Sequence, residues 1–416
     1  VRTEVQFIPA KLKVIDHYQE TYECRSCRKN GTPYMEKAPV PYPPVLHSLA
    51  SASTITWLIH QKFELSIPLY RQEKEWEALG LRLSRATMSN WLLVVYRDWL
   101  VHIVHRLKLE LLKQRYLHID ETHVQVLKEP GRKNTSDSYM WVYCSIRDAV
   151  NPIRYFEYQP GRSGKYPEAF LREYEGYIHT DAYSGYNAVS GVKRCLCYTH
   201  LRRAFVDALP KDIHNSEASK AAEAILRLNQ LFNIESELEA LPPDQKKKER
   251  LIREKPLLEA FWSWAEKSAI GELPKSKLSK AFHYALNNRE GFWNYLEDGN
   301  CSISNSLAEN CIRPFVIGRK NWLFSGSPKG AEASAGIYTL VETAKANGLA
   351  PMKYIKYILS DMPGSAFLEH PEYLDDYLPS GTSCPASDLL TESSFRIINA
   401  RFSDSANTEI FLLMIQ

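Results

Sequence analysis

Two segments of the chain repeat one pattern. Tyr116-Leu117-His118-Ile119-Asp120 and Tyr177-Ile178-His179-Thr180-Asp181 both read Tyr, aliphatic, His, variable, Asp. Each is a short, mostly apolar run of strand formers that ends in a carboxylate. An ionised carboxylate at such a place is costly unless it is paired, solvated or metal-bound. Ligands of open α/β sheets gather outside the strand ends. Two such strands side by side would therefore assemble a hard-oxygen site suited to Mg2+. The alternative is that each Asp only caps the turn after its strand, as Ala182-Tyr-Ser-Gly185 allows. His118 and His179 share the face of their Asp. They are either ligands or packed, hydrogen-bonded histidines.

The periods around these strands set the class. Strands are expected at Tyr116–Asp120, Thr122–Leu127, Ser138–Ser145, Ile153–Tyr158, Tyr177–Asp181 and Val192–Tyr198, with a helix over Lys165–Glu175 and another starting at Leu201. A meander of three strands, a helix, two strands and a helix make a mixed α/β unit. Residues 216–298 are helical, with Ala221, Ile225, Leu228 and Phe232 on one stripe, and Lys246-Lys-Lys-Glu-Arg250 is expected to be a solvated face. Pro351 to Leu359 is a short amphipathic helix. Residues 46–115 are helical too. A helix over Arg71–Leu79, a break at Gly80 and a restart in Leu83–Trp91 with Ser84 as N-cap give either a helix-turn-helix or an ordinary helical hairpin. Four prolines in Ala38–Val45 make a stiff linker.

Composition excludes several classes. At 44% hydrophobic and 24% charged over 416 residues, the chain can bury a core and is not disordered. A net charge of +3 (52 minus 49) requires any nucleic-acid surface to be local. Eight cysteines are too few for a disulfide scaffold and suit a reducing compartment, and Cys144, Cys195, Cys301 and Cys311 read as packing residues. No apolar run approaches the roughly 18 residues of a membrane span.

A third carboxylate, Glu309, stands in Ser304–Phe324. Ser306-Leu-Ala-Glu309 has the form of a capping box, Arg313 lies one turn on and could pair with Glu309, and Pro314 is expected to limit or kink the helix. Beyond it, Arg313, Arg319, Lys320 and Lys329 interleave with Trp322 and Phe324 without an acid. Such a stretch suits a phosphate backbone and unstacked bases.

Asp120, Asp181 and Asn305-x3-Glu309-x3-Arg313-Pro, followed by Gly318-Arg-Lys-Asn-Trp-Leu-Phe324, resemble the insertion-sequence-66-type (IS66 family) transposases over residues 1 to about 378. Cys24-x2-Cys27 resembles the second half of that family's zinc-binding segment. Leu69-Tyr-Arg-Gln72 through Ser84-Arg85-Ala-Thr87 and Trp91 resemble its DNA-binding helices. Cys197-Tyr-Thr-His200-Leu-Arg202-Arg203-Ala-Phe205 resembles its Cys-x-x-His-x-Arg-Arg element. The resemblance implies a partial zinc-ribbon segment (1–37), the linker (38–45), a helical DNA-binding domain (46–115), a ribonuclease-H-like α/β catalytic domain (116–347) with a helical insertion (206–300), a helical segment (348–379) and an atypical tail (380–416).

It further implies an Asp120-Asp181-Glu309 triad holding two Mg2+ (or Mn2+) ions, which cleaves element ends and transfers the 3′-hydroxyl into target DNA. DNA contacts are expected from Arg85, Arg202, Arg203, Arg313, Arg319, Lys320 and Trp322, with Cys197 and His200 ordering the site. Zn2+ is expected only if a further Cys pair precedes Val1, because Cys24 and Cys27 supply two of the four ligands a structural site takes. Expected partners are DNA, a homo-oligomer on it and accessory proteins of the same element, in a bacterial, nucleoid-associated cytoplasmic setting. Ser380-Gly-Thr-Ser stands where the family continues with Trp, so a frameshifted or decayed end is expected. Three rivals remain: a nuclease or resolvase that cuts without joining, a non-catalytic DNA-binding derivative, and a metallohydrolase built on His118, Asp120, His179 and Asp181.

Overall fold

The structure is a computed structural model that describes residues 10–210, 219–380 and 389. The apolar residues Val5, Phe7 and Ile8 and the apolar run Ile410–Ile415 lie outside the described residues.

Two three-residue strands, β1 (Thr21–Glu23) and β2 (Met35–Lys37), pair antiparallel around the short helix Arg25–Lys29. The central sheet consists of β3 (Tyr116–Val126), β4 (Asp137–Ser145), β5 (Arg154–Gln159), β6 (Gly176–Thr180), β7 (Val192–Leu196) and the two-residue β8 (Phe324–Ser325). Its order is β5-β4-β3-β6-β7, with β8 added to β3. The meander β3-β4-β5 is antiparallel, and β3-β6-β7 run parallel.

Tyr139, Trp141 and Tyr143 alternate along β4 with Met140, Val142 and Cys144. All but the half-buried Tyr139 are buried, as expected of a strand covered on both faces. Helix Pro328–Ala346 lies along β5. Its Thr339 and Thr343 hydroxyls accept from the backbone N–H of Phe156 and Arg154 at 2.9 and 3.1 Å, so two amides of this edge strand are satisfied by side chains of a covering helix. Gly336 lets that helix approach Tyr96, since a Cβ there would lie 2.1 Å from the tyrosine ring. The helical segment thereby shares one apolar core with the sheet, from Ile55 and Val95 through Trp141 to Tyr338.

Several expectations change. Asp120 is not at a strand end: β3 continues six residues further because β4 and then β8 keep pairing with it. It does stand just beyond the stretch paired with β6. The helix after β5 is shorter than expected, Lys165–Phe170. Pro314 does not stop its helix, which runs Ser306–Trp322. Ala308, Ile312, Phe315 and Gly318 are buried along one stripe, and that packing outweighs the roughly 3 kcal/mol cost of an internal proline.

The charge run is not a solvated face throughout. Arg250 is fully buried, bound bidentately to Glu235 at 2.6 and 2.8 Å, and donates to the carbonyls of Tyr295, Asp298 and Cys301. It ties Lys220–Glu237, which with Pro243–Glu249, Lys255–Ala269 and Lys277–Asn287 makes up the insertion's longer helices, to the loop that leads to Ser306–Trp322. Among the described residues no helix is long and apolar enough to cross a membrane.

Candidate active site

The repeated pentapeptides are neighbours in register. Tyr116 pairs with Tyr177, Leu117 with Ile178 and His118 with His179 across parallel β3 and β6. Like side chains therefore stack: the tyrosine rings at 5.6 Å and the imidazoles at 4.2 Å, within 7° of parallel. Both histidines are buried. His118 Nδ1 bonds Asn305 Oδ1 at 3.0 Å, and His179 Nε2 accepts from the Ser302 amide at 2.9 Å. Burial, then the charge His179 would carry, holds the His118 imidazole well below its usual range. These histidines are packed and hydrogen-bonded.

The register carries the two Asp residues to one end of the β3–β6 pair. Asp181 follows β6 directly, where its Oδ1 accepts from the Tyr183 amide at 3.0 Å. Glu309 comes in on the first turn of Ser306–Trp322. No capping box forms there. The N-cap is Asn305, whose side chain spans to β3, accepting from His118 and donating to the Ile119 carbonyl at 2.8 Å. Its amide donates to Cys197 Sγ at 3.1 Å. One asparagine thus fastens the start of Glu309's helix to the residue before Asp120 and to the β7–helix junction.

Asp120 feels the charges of the other two acids. Burial pushes the Asp120 carboxyl up to about 7, and the charges of Glu121, Asp181 and Glu309 add to the rise. Glu309 does not pair with Arg313, which is exposed. Its Oε1 lies 3.7 Å from His200 Nδ1 and its Oε2 lies 3.8 Å from Arg203 Nη2. Both Glu309 Oε1 and His200 Nδ1 are shut off from solvent without a hydrogen-bond partner. Ligand atoms of Cys197, His200 and Glu309 fall within 4.8 Å of one another. Burial would raise the Cys197 thiol, but His200 outweighs it and holds it below its ordinary value, while Cys197 raises His200.

Two further side chains have no counterpart among the expected site residues. Glu121 bonds Arg162 at 2.6 Å and Tyr186 at 2.5 Å. Arg162 packs over the Tyr183 ring at 3.9 Å and reaches within 3.9 Å of Asp181 Oδ2. Arg162, Asp181, Tyr183, His200 and Tyr284 line a shallow cleft. Glu121 was visible as the acid beside Asp120, and Asn305 stood in the quoted motif. No local pattern marks Arg162, which follows a Pro-Gly turn.

The expected DNA-contact residues divide. Arg85, Arg313 and Lys320 are exposed, and Arg203 is open beside Glu309. Arg202 is turned onto Asn229 of the insertion at 2.7 Å. Arg319 bonds Thr122 Oγ1 and the His123 carbonyl, so it fastens its helix to β3. Trp322 lies under the Lys62 ammonium at 3.8 Å. Cys24 and Cys27 flank the start of Arg25–Lys29, and no third Cys, His, Asp or Glu joins them among the described residues.

The sequence profile of the Transposase IS66 family matches residues 47–333, well over half of the chain. The chain belongs to the IS66 transposase family. Its curated relatives include three proteins of Sinorhizobium fredii (strain NBRC 101917 / NGR234), the uncharacterized proteins y4hP, y4qI and y4jD. Identity to y4hP is 25% over 382 residues, covering 86% of this chain and 67% of that protein. For y4qI it is 27% over 376 residues, covering 85% and 66%, and for y4jD 26% over 368 residues, covering 85% and 70%. The chain thus spans about two thirds of the length of these relatives.

Proposed function

We propose that this IS66-family chain is a DNA transposase that cleaves the phosphodiester at the ends of its element and joins the freed 3′-hydroxyl to target DNA. The observation that carries the reading is that Asp181 and Glu309 come close enough to Asp120, at one end of the β3–β6 pair, for their charges to raise its carboxyl. The strand order, with its antiparallel meander and two parallel additions, agrees with a ribonuclease-H-like core. The donor chemistry fits divalent cations: three carboxylates, one with a buried oxygen that has no hydrogen-bond partner and one whose carboxyl is raised to about 7, first by burial and then by neighbouring acids. Asp120, Asp181 and Glu309 would hold Mg2+ or Mn2+, which when bound supplies Lewis-acid stabilisation of phosphoryl charge.

The remaining work belongs to the chain. Asn305 sets the position of Glu309 against Asp120. The Asx turn at Asp181 and Arg194, which donates to the Asp181 carbonyl at 2.6 Å, fix the second acid. Arg203 and Arg162 border the acids as cations for the entering phosphate backbone. Hydrolysis and joining are both in-line displacements at phosphorus, so no covalent protein intermediate is required.

The test uses duplexes carrying the ends of the element, incubated with Mg2+ and with EDTA, and a second substrate already cut to a 3′-hydroxyl. Cleaved and joined products are expected with Mg2+ alone, and neither from Asp120→Asn or Glu309→Gln. Full joining by either variant would overturn the triad. Cutting without joining of the pre-cut end would favour a nuclease.

A further inference from the structure

A second surface lies farther along β3, where the helical segment meets the chain beyond Glu309's helix. Here β8 pairs with Gln125 and Val126. By strand rise that is about 17 Å from Asp120. A cavity opens beside it, lined among others by Lys62, Ser89, Trp322, Phe324, Gly326 and Ser334. Ser89 belongs to Arg85–Val95, the second helix of the glycine-turn pair.

Four observations converge on this cavity. Lys62 sits over the Trp322 ring at 3.8 Å and has no carboxylate or hydrogen-bond partner among the described residues. Desolvation of its ammonium end pushes it down to about 8, the signature of a cation without an anion. Lys62 lies in a π-helical turn, His60–Glu64, a rare geometry that concentrates at functional sites. The two loops that frame the cavity each hold a non-glycine residue at positive φ, Ser66 at 58° and Leu323 at 66°, and Asn321 Nδ2 ties them by donating to the Ser66 carbonyl at 3.0 Å. The rim is open and free of acid: no atom lies within 4 Å of where a Cβ on Gly326 would be, Phe324 is exposed, and the first turn of Pro328–Ala346 has no Asp or Glu.

We infer that this cavity seats one backbone phosphodiester of bound DNA, with Lys62 as its pairing cation and Phe324 as the neighbouring apolar wall. The inference rests on the proposal that the chain acts on DNA. A strand running from the acid cluster along β3 would bring one of its phosphates to Lys62. The arrangement links the paired helices and the acid cluster through the DNA backbone itself.

The test is the salt dependence of binding to a fluorescein-labelled element-end duplex, measured for the wild-type chain and for Lys62→Met, which keeps the aliphatic stem over Trp322. The slope of log K against log salt is expected to shrink in magnitude by about 0.9, the loss of one neutralised phosphate. Acetic anhydride labelling of the wild-type chain, read by mass spectrometry, supplies a measurement independent of any variant: Lys62 is expected to react readily alone and to be protected several-fold by the duplex. An unchanged slope together with unprotected Lys62 overturns the seat while leaving the DNA reading intact. Failure of the wild-type chain to bind the duplex at all overturns both.

Discussion

Asp120 carries a penalty in the metal-free fold that can be measured as stability. Its carboxyl rises from 3.8 to about 7, chiefly through burial and then through Glu121, Asp181 and Glu309. A raised acid holds its proton more tightly when folded, so the folded state binds more protons than the unfolded state between those two values, and stability falls as pH rises through that window. At about 1.4 kcal/mol per unit the full penalty is about 4 kcal/mol, and about half of that once solvent reaching the half-buried carboxylate is allowed for. Asp120→Asn removes the charge and keeps an Oδ1 to accept the Glu121 amide. Urea unfolding in EDTA should find the variant more stable than the wild type by about 2–4 kcal/mol at pH 8 and by about 1 kcal/mol at pH 5. Adding Mg2+ at pH 8 should close the gap by stabilising only the wild type. The same offset at both pH values, or a less stable variant at pH 8, would refute the reasoning.

Asn305→Ala should lower metal-dependent cleavage while leaving duplex affinity unchanged, and should cost about 2 kcal/mol by stranding His118 and the Ile119 carbonyl; cleavage rates beside urea curves check this. Arg250→Met leaves the buried Glu235 with only Lys246, 3.4 Å from its Oε2, and strands three carbonyls, and should destabilise by about 3–5 kcal/mol in thermal or urea unfolding. Gly336→Ala should cost about 1–3 kcal/mol despite its better helix propensity, because the methyl meets the Tyr96 ring, and Tyr96→Ala in the same chain should recover part of the loss on a thermal melt.

The duplicated Tyr-x-His-x-Asp pattern made the pairing of two strands legible, because like residues at like positions are what an in-register parallel pair stacks. The third acid was legible only through its longer motif, since its local pattern spelled a capping box. Why that box does not form could not be read locally: Asn305 is drawn to β3, nearly two hundred positions earlier in the chain, and a helix end yields to such a bond. The continuation of the helix past Pro314 and the burial of Arg250 are hidden from the local sequence for the same reason. A proline's local cost and a charge run's polarity are short-range quantities, and packing against β3, Glu235 and three distant carbonyls outweighs them. Arg162 and Lys62 carry no pattern at all; only the folded chain places one beside Asp181 and the other over Trp322.

Arg250's grip on the carbonyls of Tyr295, Asp298 and Cys301 has a consequence for timing. The ribosome delivers Asp120 and Asp181 early, and the sheet that holds them can begin to form. Glu309 follows the insertion in the chain, and the loop that leads into its helix is held by the guanidinium buried in that insertion. On the proposed reading, the third acid can join the other two only once the long insertion between them has folded, so assembly of the site is tied to the folding of a segment that contributes none of the three carboxylates.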